Sequence, residues 1–259
     1  MFEEILDTFE NEDVKEFMIT KCTPTICAYF KIAPASSSGK YHPQISLGEG
    51  GLMRHTIAVA RFLNHMFGVE SVANQFTSRE RDLLRVAALM HDSRKSGSQE
   101  DYEKSKWTKF NHPLLAAEVI RGLTGLPKEE IEVIATTIEA HMGAFNTDKR
   151  HPDIIIPKPT NKYQIILHLA DYLASRKDIE MKFEGFNGVP EIIPNPEDVY
   201  IQAKDYKIPF GKYKDMTISE VAESDLDYLK WMGEKIDPGN TKTMVNIFLK
   251  EYGKKDEKV

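Results

Sequence analysis

The run Ala88-Leu89-Met90-His91-Asp92-Ser93-Arg94-Lys95 sets the reading of this chain, because an apolar helix over 79–91 ends there on an imidazole and a carboxylate. A charged pair at the end of a buried helix is costly unless something compensates it, and a metal ion does so directly. One His-Asp dipeptide carries little by itself. Other apolar stripes, however, are interrupted in the same way. Behind Gly48, Gly50 and Gly51 the spacing predicts a helix of about seventeen residues with Leu52, His55, Val59, Phe62 and Met66 on one face. A helix opened by Pro127, Glu129 and Glu130 carries the stripe Ile131, Ile134 and Ile138, which ends on His141. A further helix over about 162–177 carries Asp171. One inward histidine is more often a core residue held by a hydrogen bond. Several inward imidazoles and carboxylates on successive helices are satisfied together by a shared cation.

The bulk composition bounds the alternatives. With 259 residues, 41% hydrophobic and 29% charged, the chain suits one domain of average-to-large size plus a smaller one. A net charge of −6 gives no global attraction to nucleic acid, so a polyanionic partner needs a local positive site such as a bound metal. Cys22 and Cys27 are too few for a disulfide scaffold or a thiolate zinc site, and reduced thiols are expected. The acidic, amphipathic first residues lack the features of a secretory leader. No apolar run reaches the ~18 residues of a membrane span. A cytoplasmic protein with no membrane partner is expected.

Along the chain, 1–34 read as short helices anchored by Ile5, Phe9, Phe17 and Ile19, and Pro34–Pro43 as a loop. Ser93–Asn111 read as a polar loop, and Pro113 opens a helix over 113–122. Gly185, Gly188, Pro190, Pro194 and Pro196 mark a change of texture. The divisions expected are a helical domain over 1–190 with its core at 48–178, a linker at 191–204 and a small unit at 205–259. In that last part, Ile208–Ile218 reads as strand, tight turn and strand, followed by helices over about 218–236 and 241–252. The expected fold class is an all-α helical bundle followed by a small α+β domain.

Imidazole and carboxylate ligands without thiolate point to Mn²⁺, Fe²⁺, Co²⁺, Ni²⁺ or Mg²⁺ rather than structural zinc. Two such ions held with only two aspartates leave a positive site. That site attracts a phosphate, lowers the pKa of bound water and stabilises charge on a departing oxygen.

His55, then His91-Asp92, then Asp171 resemble the H…HD…D signature of the HD superfamily of metal-dependent phosphohydrolases. Gly50-Gly51-Leu52-Met53-Arg54-His55-Thr56 is similar to that family's GGLLEHT-type helix start, and residues 88–95 to its LLHDIGK-type segment. His112, opening a helix, and His141 resemble the two extra histidines of binuclear members. Roughly 48–178 also resemble the HD domain of YhaM-type 3′–5′ exoribonucleases. The resemblance implies an HD-domain bundle in which His55, His91, Asp92 and Asp171 hold one divalent ion. Asp92 would bridge to a second ion held with His112 and His141, and a bridging water would attack phosphorus. Lys95 would contact phosphate or orient Asp92, so Asp92 and Lys95 are the catalytic candidates. Two departures stand out: Arg94 replaces the usual glycine of the HDIGK segment, and Met142 falls within the frequent HHG.

Lys40, Arg54, Arg94, Lys95 and Arg176 are candidate phosphate contacts, with plain surface charge as the alternative. His168, three residues before Asp171, shares its helix face and reads as a support or core residue. His42, His65 and His151 read as surface or packing residues. Ser36-Ser37-Ser38-Gly39-Lys40 lacks the spacing of a P-loop and reads as an ordered loop able to lid a pocket. The segment from Phe210 to Met232 looks like the small C-terminal accessory domain of some bacterial and phage DNA exonucleases. There Phe210, Tyr213 and Trp231 either stack on single-stranded nucleic acid or form the unit's core. From 201 onward there are eleven Lys, eleven acidic residues and no Arg, hence no basic footprint. The expected function is hydrolysis of a phosphoester of a nucleotide, another phosphorylated small molecule or a nucleic acid. The alternatives are an HD-type di-iron oxygenase and a non-catalytic nucleotide- or nucleic-acid-binding module. An oligomer is compatible with all three.

Overall fold

The computed structural model describes residues 1–36, 42–179 and 196–256. Lys40 and most of the serine-glycine loop lie outside the described residues. The chain divides into two compact units, Met1–Ile192 and Ile193–Val259.

The first unit is built of α1 (Glu3–Leu6), α2 (Glu12–Phe17), α3 (Gly51–Phe67), α4 (Glu70–Ala73), α5 (Ser78–Met90), α6 (Gln99–Lys104), α7 (His112–Arg121), α8 (Lys128–Glu139) and α9 (Lys162–Ala174). Their starts are written locally. Thr77 and Glu80 form a reciprocal capping box at α5, and the Asn161 side chain accepts the Tyr163 and Gln164 N–H groups at α9. Pro113 occupies the first turn of α7, and Glu129 and Glu130 face the positive end of α8. The start of α3 depends on two glycines. Gly50 has φ +70°, and a Cβ on Gly51 would lie 2.4 Å from the Ser46 carbonyl oxygen.

Helix α3 packs on α5 and α9, α5 also on α8, and α8 on both α7 and α9. Leu52, Val59 and Leu63 of α3 meet Leu84 and Ala88 of α5, Ile134 and Ile138 of α8, and Leu167 and Ala170 of α9 in one core. Each large side chain buried there contributes about 1.5–3 kcal/mol. The N-terminal segment closes the bundle with Phe2, Ile5, Phe17, Tyr29 and Phe30. It is fixed by the buried Asp82 of α5, which accepts from the Glu10 N–H (2.9 Å), the Asn11 N–H (2.7 Å), Asn11 Nδ2 (2.8 Å) and Arg85.

The polar stretch 93–111 is not all loop. Ser98 and Asp101 form a capping box that starts α6, and Tyr102 stacks on Tyr29 at 4.6 Å. In the second unit lie α10 (Pro196–Lys204), α11 (Ile218–Ser224), α12 (Leu226–Lys235) and α13 (Asn240–Asp256). The later half of the expected linker at 191–204 is therefore helix, with Ala203 buried in the second core and Tyr200 stacked on Phe248. One helix was expected over 218–236; Asp225, at φ −155°, divides it and caps α12 by accepting the Tyr228 N–H.

The second unit is not clearly α+β. Among the described residues there is no sheet, and the expected strands reduce to one isolated antiparallel bridge between Lys207 and Thr217. The turn at 209–215 uses up the chain before a second pair forms, and so short a hairpin gains too little to persist as a ladder. Ile208, Ile218, Val221, Leu229, Met232, Val245 and Phe248 form the core instead. No helix among the described residues is long and apolar enough to cross a membrane.

Candidate metal centre

Five stretches of chain deliver six ionisable side chains to one place in the first unit. His55 lies on the buried face of α3, and His91 caps the C-terminus of α5 with Asp92 next to it. His112 opens α7, His141 sits in the turn after α8, and Asp171 projects from α9. His55, His91, Asp92, His112 and His141 are all at most 1% exposed.

Asp92 stands at the centre, and its two oxygens face different histidines. Oδ2 is 3.5 Å from His91 Nε2 and 3.8 Å from His55 Nε2. Oδ1 is 3.0 Å from His112 Nε2 and 3.6 Å from His141 Nε2. Asp171 Oδ1 completes the first group at 3.0 Å from His55 Nε2 and 4.0 Å from His91 Nε2. Two ligands about 2.1 Å from one ion and at right angles lie roughly 3.0 Å apart, so both groups have the scale of a divalent cation's shell. Two separate metal-capable sets result, His55-His91-Asp92 and Asp92-His112-His141, sharing Asp92.

The protons are placed to suit a cation. The Nδ1 atoms of His91, His112 and His141 lie 2.7, 2.7 and 2.8 Å from the carbonyl oxygens of Ala88, Lys109 and Ile138. A carbonyl only accepts, so each Nδ1 donates, and in the neutral ring each Nε2 then carries a lone pair towards Asp92. His112 and His141 point those lone pairs at each other across 3.3 Å. The buried His91 Nε2 has no hydrogen-bond partner among the described residues. Lone pairs converging on a carboxylate repel unless a cation lies among them, so the residues present fit divalent metal ions.

The electrostatics agree. Burial pushes the pKa of His91 down, and that of His112 down with help from Lys95. Burial, then His91, lowers His141 to about 3. Burial raises Asp92, but Lys95, His91 and His112 outweigh it and hold the carboxyl well below the usual range. Asp171 is likewise raised by burial and lowered further by His55. Metal ligation needs neutral imidazoles and ionised carboxylates, and these shifts favour both. The Lys95 ammonium bonds both Asp92 oxygens, at 3.2 and 2.9 Å.

Among the described residues, the other expected phosphate contacts, Arg54, Arg94 and Arg176, have partners away from the six side chains. Arg54 donates from Nε to Ile45 O at 2.6 Å and from Nη2 to Leu47 O at 3.0 Å, pinning the loop before α3. Arg94 reaches Thr25 O at 2.8 Å and Cys27 Sγ at 3.0 Å, so the residue standing for the usual glycine ties the N-terminal segment to the His-Asp turn. The Arg176 guanidinium lies 4.3 Å from the Tyr172 ring centre, with no contact to the six residues among the described ones. A side chain's charge does not reveal its direction, and nearby carbonyls captured two of these arginines.

Two histidines gain a place at the site. His42, expected to be ordinary, meets His55 edge-on with ring centres 5.2 Å apart. Burial, then His55, lowers it to about 3, and its buried Nδ1 has no partner among the described residues. It comes from an aperiodic loop, where no spacing could have singled it out. His168 Nδ1 lies 2.7 Å from the His141 carbonyl oxygen, so the residue sharing a face with Asp171 supports the neighbouring turn.

The HD domain family model matches residues 52–176, a span that encloses all six side chains. The model of the exodeoxyribonuclease X-like C-terminal domain matches residues 208–237. No match was found among curated proteins or among solved structures. Helical fold, buried histidine-aspartate cluster and family match agree: the chain carries an HD domain, of the metal-dependent phosphohydrolase superfamily, followed by an exodeoxyribonuclease X-like C-terminal domain.

Proposed function

We propose that this protein hydrolyses a phosphoester of a nucleotide or of a nucleic-acid end, using two divalent ions that share Asp92. The observation that carries this reading is the division of Asp92, one oxygen towards His55 and His91 and the other towards His112 and His141. The first ion would be held by His55, His91, Asp92 and Asp171, the second by Asp92, His112 and His141. When bound against only two aspartates, divalent ions would supply a positive centre for a phosphate, a more acidic water and stabilisation of charge on the departing oxygen.

The chain's own groups do the rest. Lys95 keeps Asp92 ionised and oriented through two of its three N–H groups, and the third, which has no partner among the described residues, can meet a phosphate oxygen. His91, His112 and His141 hold their Nδ1 protons on backbone carbonyls, so their rings stay aligned, and burial keeps them neutral. His42, neutral beside His55, offers a hydrogen bond at the same centre.

A nucleic-acid substrate gains support from the second unit, where Phe210 is 46% and Trp231 50% exposed and Trp231 lies 5.6 Å from Tyr228. Exposed rings in a group stack on bases without regard to sequence. The family match at 208–237 agrees with such a partner.

The test is metal analysis of the purified protein followed by hydrolysis assays with Mn²⁺. The substrates are nucleoside mono- and triphosphates, cyclic dinucleotides and short oligonucleotides. Metal-dependent release of phosphate or nucleotide, lost in both His91→Ala and Asp92→Ala, is expected. Unchanged hydrolysis by metal-free Asp92→Ala protein refutes the assignment.

A further inference from the structure

Helix α9 touches both halves of the centre at residues three apart. Asp171 reaches the first half through His55 at 3.0 Å. His168, one turn earlier on the same face, reaches the second half through the backbone of His141 at 2.7 Å. The carbonyl only accepts, so His168 Nδ1 donates.

A second observation shows how tightly the two elements are fitted. Gly143, two residues after His141, has φ +58°, and a Cβ built on it would lie 2.1 Å from His168 Cε1 and 2.4 Å from Nε2. The ring fills the space that a side chain at 143 would occupy. The turn 140–143 is thus held by the His168 hydrogen bond and packs closely against the imidazole.

Apart from His168, the turn is held by bonds within its own stretch of chain, such as His141 Nδ1 to Ile138 O at 2.8 Å. His141 lies beyond the end of α8, its N–H reaching Ile138 O at a long 3.3 Å, as does that of Gly143 to Ala140 O. By contrast His55 stands within the 17-residue helix α3, and His91 directly ends the 13-residue α5. Of these three ligands, His141 depends most on a neighbouring helix for its position.

We infer that His168 is a positioning residue for the second ion: it locks the His141 turn to α9 and so sets the affinity of the Asp92-His112-His141 position, leaving the His55-His91-Asp92-Asp171 position nearly unaffected. This rests on the two-ion reading given above.

The experiment is calorimetric titration of Mn²⁺ into the metal-stripped full chain, with bound metal counted after gel filtration. Wild type takes two ions per chain. His168→Ala takes the first with wild-type affinity and the second about tenfold or more weaker, the size of loss seen when the support of a ligand is removed. His168→Asn keeps a side-chain N–H near the place of Nδ1 and restores the second affinity to within about threefold. Gly143→Ala, which touches no ligand, weakens the second ion as His168→Ala does. Circular dichroism confirms that each variant keeps its helices. Two ions bound by His168→Ala with unchanged affinities overturn the inference alone. Equal weakening of both ions, or failure of Asn to restore the second, also overturns it. A wild type that binds one ion or none removes the two-ion reading and this inference with it.

Discussion

Two carboxylates ten residues apart, Asp82 on α5 and Asp92 just beyond its end, are both 0% exposed, and they are solved in opposite ways. Asp82 is surrounded by donors: two backbone N–H groups, an amide and the Arg85 guanidinium all point at it. Every donor is fixed and the charge is compensated within the chain. Asp92 has one ammonium, Lys95, and otherwise faces four imidazole Nε2 atoms. Three of those rings have their protons turned away towards carbonyls. A buried carboxylate ringed by donors holds a fold together. A buried carboxylate ringed by lone pairs waits for a cation, and this difference separates structure from chemistry on a single helix.

Exchanging the two aspartates breaks the comparison most sharply. Asp92→Asn should reduce hydrolysis by roughly a thousandfold or more, because no residue replaces a shared ligand. It should also abolish the rise in melting temperature on adding Mn²⁺. Asp82→Asn should leave that rise intact; it amounts to about 2.7 kcal/mol for each ion present at a hundred times its Kd. A metal-induced shift lost in Asp82→Asn and kept in Asp92→Asn would reverse the two roles.

Asp82→Ala leaves Arg85 buried without its carboxylate and should destabilise the first unit by about 3–5 kcal/mol, read from urea unfolding. Metal stoichiometry of the folded fraction stays at the wild-type value. A loss under about 1 kcal/mol would mean that Asp82 is not the anchor of the N-terminal segment.

The imidazoles set the next effect. Burial lowers His141 to about 3 from the ordinary 6.5 and lowers His91 and His112 as well. Below 6.5 the unfolded chain takes up protons that the folded chain refuses, so acidification favours unfolding, and above it these groups contribute no slope. Asp92 and Asp171, held low, act in the same direction at still lower pH. Thermal melts of metal-stripped protein should therefore fall steadily from about pH 6.5 downwards and be level from these groups above it. A melting temperature that rises on acidification in that range contradicts the neutral-imidazole arrangement. The smallest effect belongs to His42: His42→Ala should weaken inorganic phosphate binding to Mn²⁺-loaded protein about tenfold, with metal content unchanged. Equal phosphate affinity would reduce His42 to packing.

Much of this centre was legible in the sequence because it sits on periodic elements. His55 and Asp171 interrupt apolar helix faces, His91-Asp92 ends one and His141 follows one, so each is marked by contrast with its neighbours. His42 lacks such a background. The charge of Arg54 and Arg94 marks them as phosphate contacts, but in the fold the Ile45, Leu47 and Thr25 carbonyls hold them. Helix α6 was hidden by its polarity, although Ser98 and Asp101 spell its cap. The strands expected around Phe210 failed for the opposite reason: alternation over so few residues does not determine a ladder, which needs a partner of sufficient length.

Crystals of Mn²⁺-loaded protein measured at the manganese edge test the central claim most directly. Two anomalous peaks should flank Asp92, one among Oδ2, His55, His91 and Asp171 and the other among Oδ1, His112 and His141. A map with no peak there, with Asp92 bonded to Lys95 alone, would contradict the account.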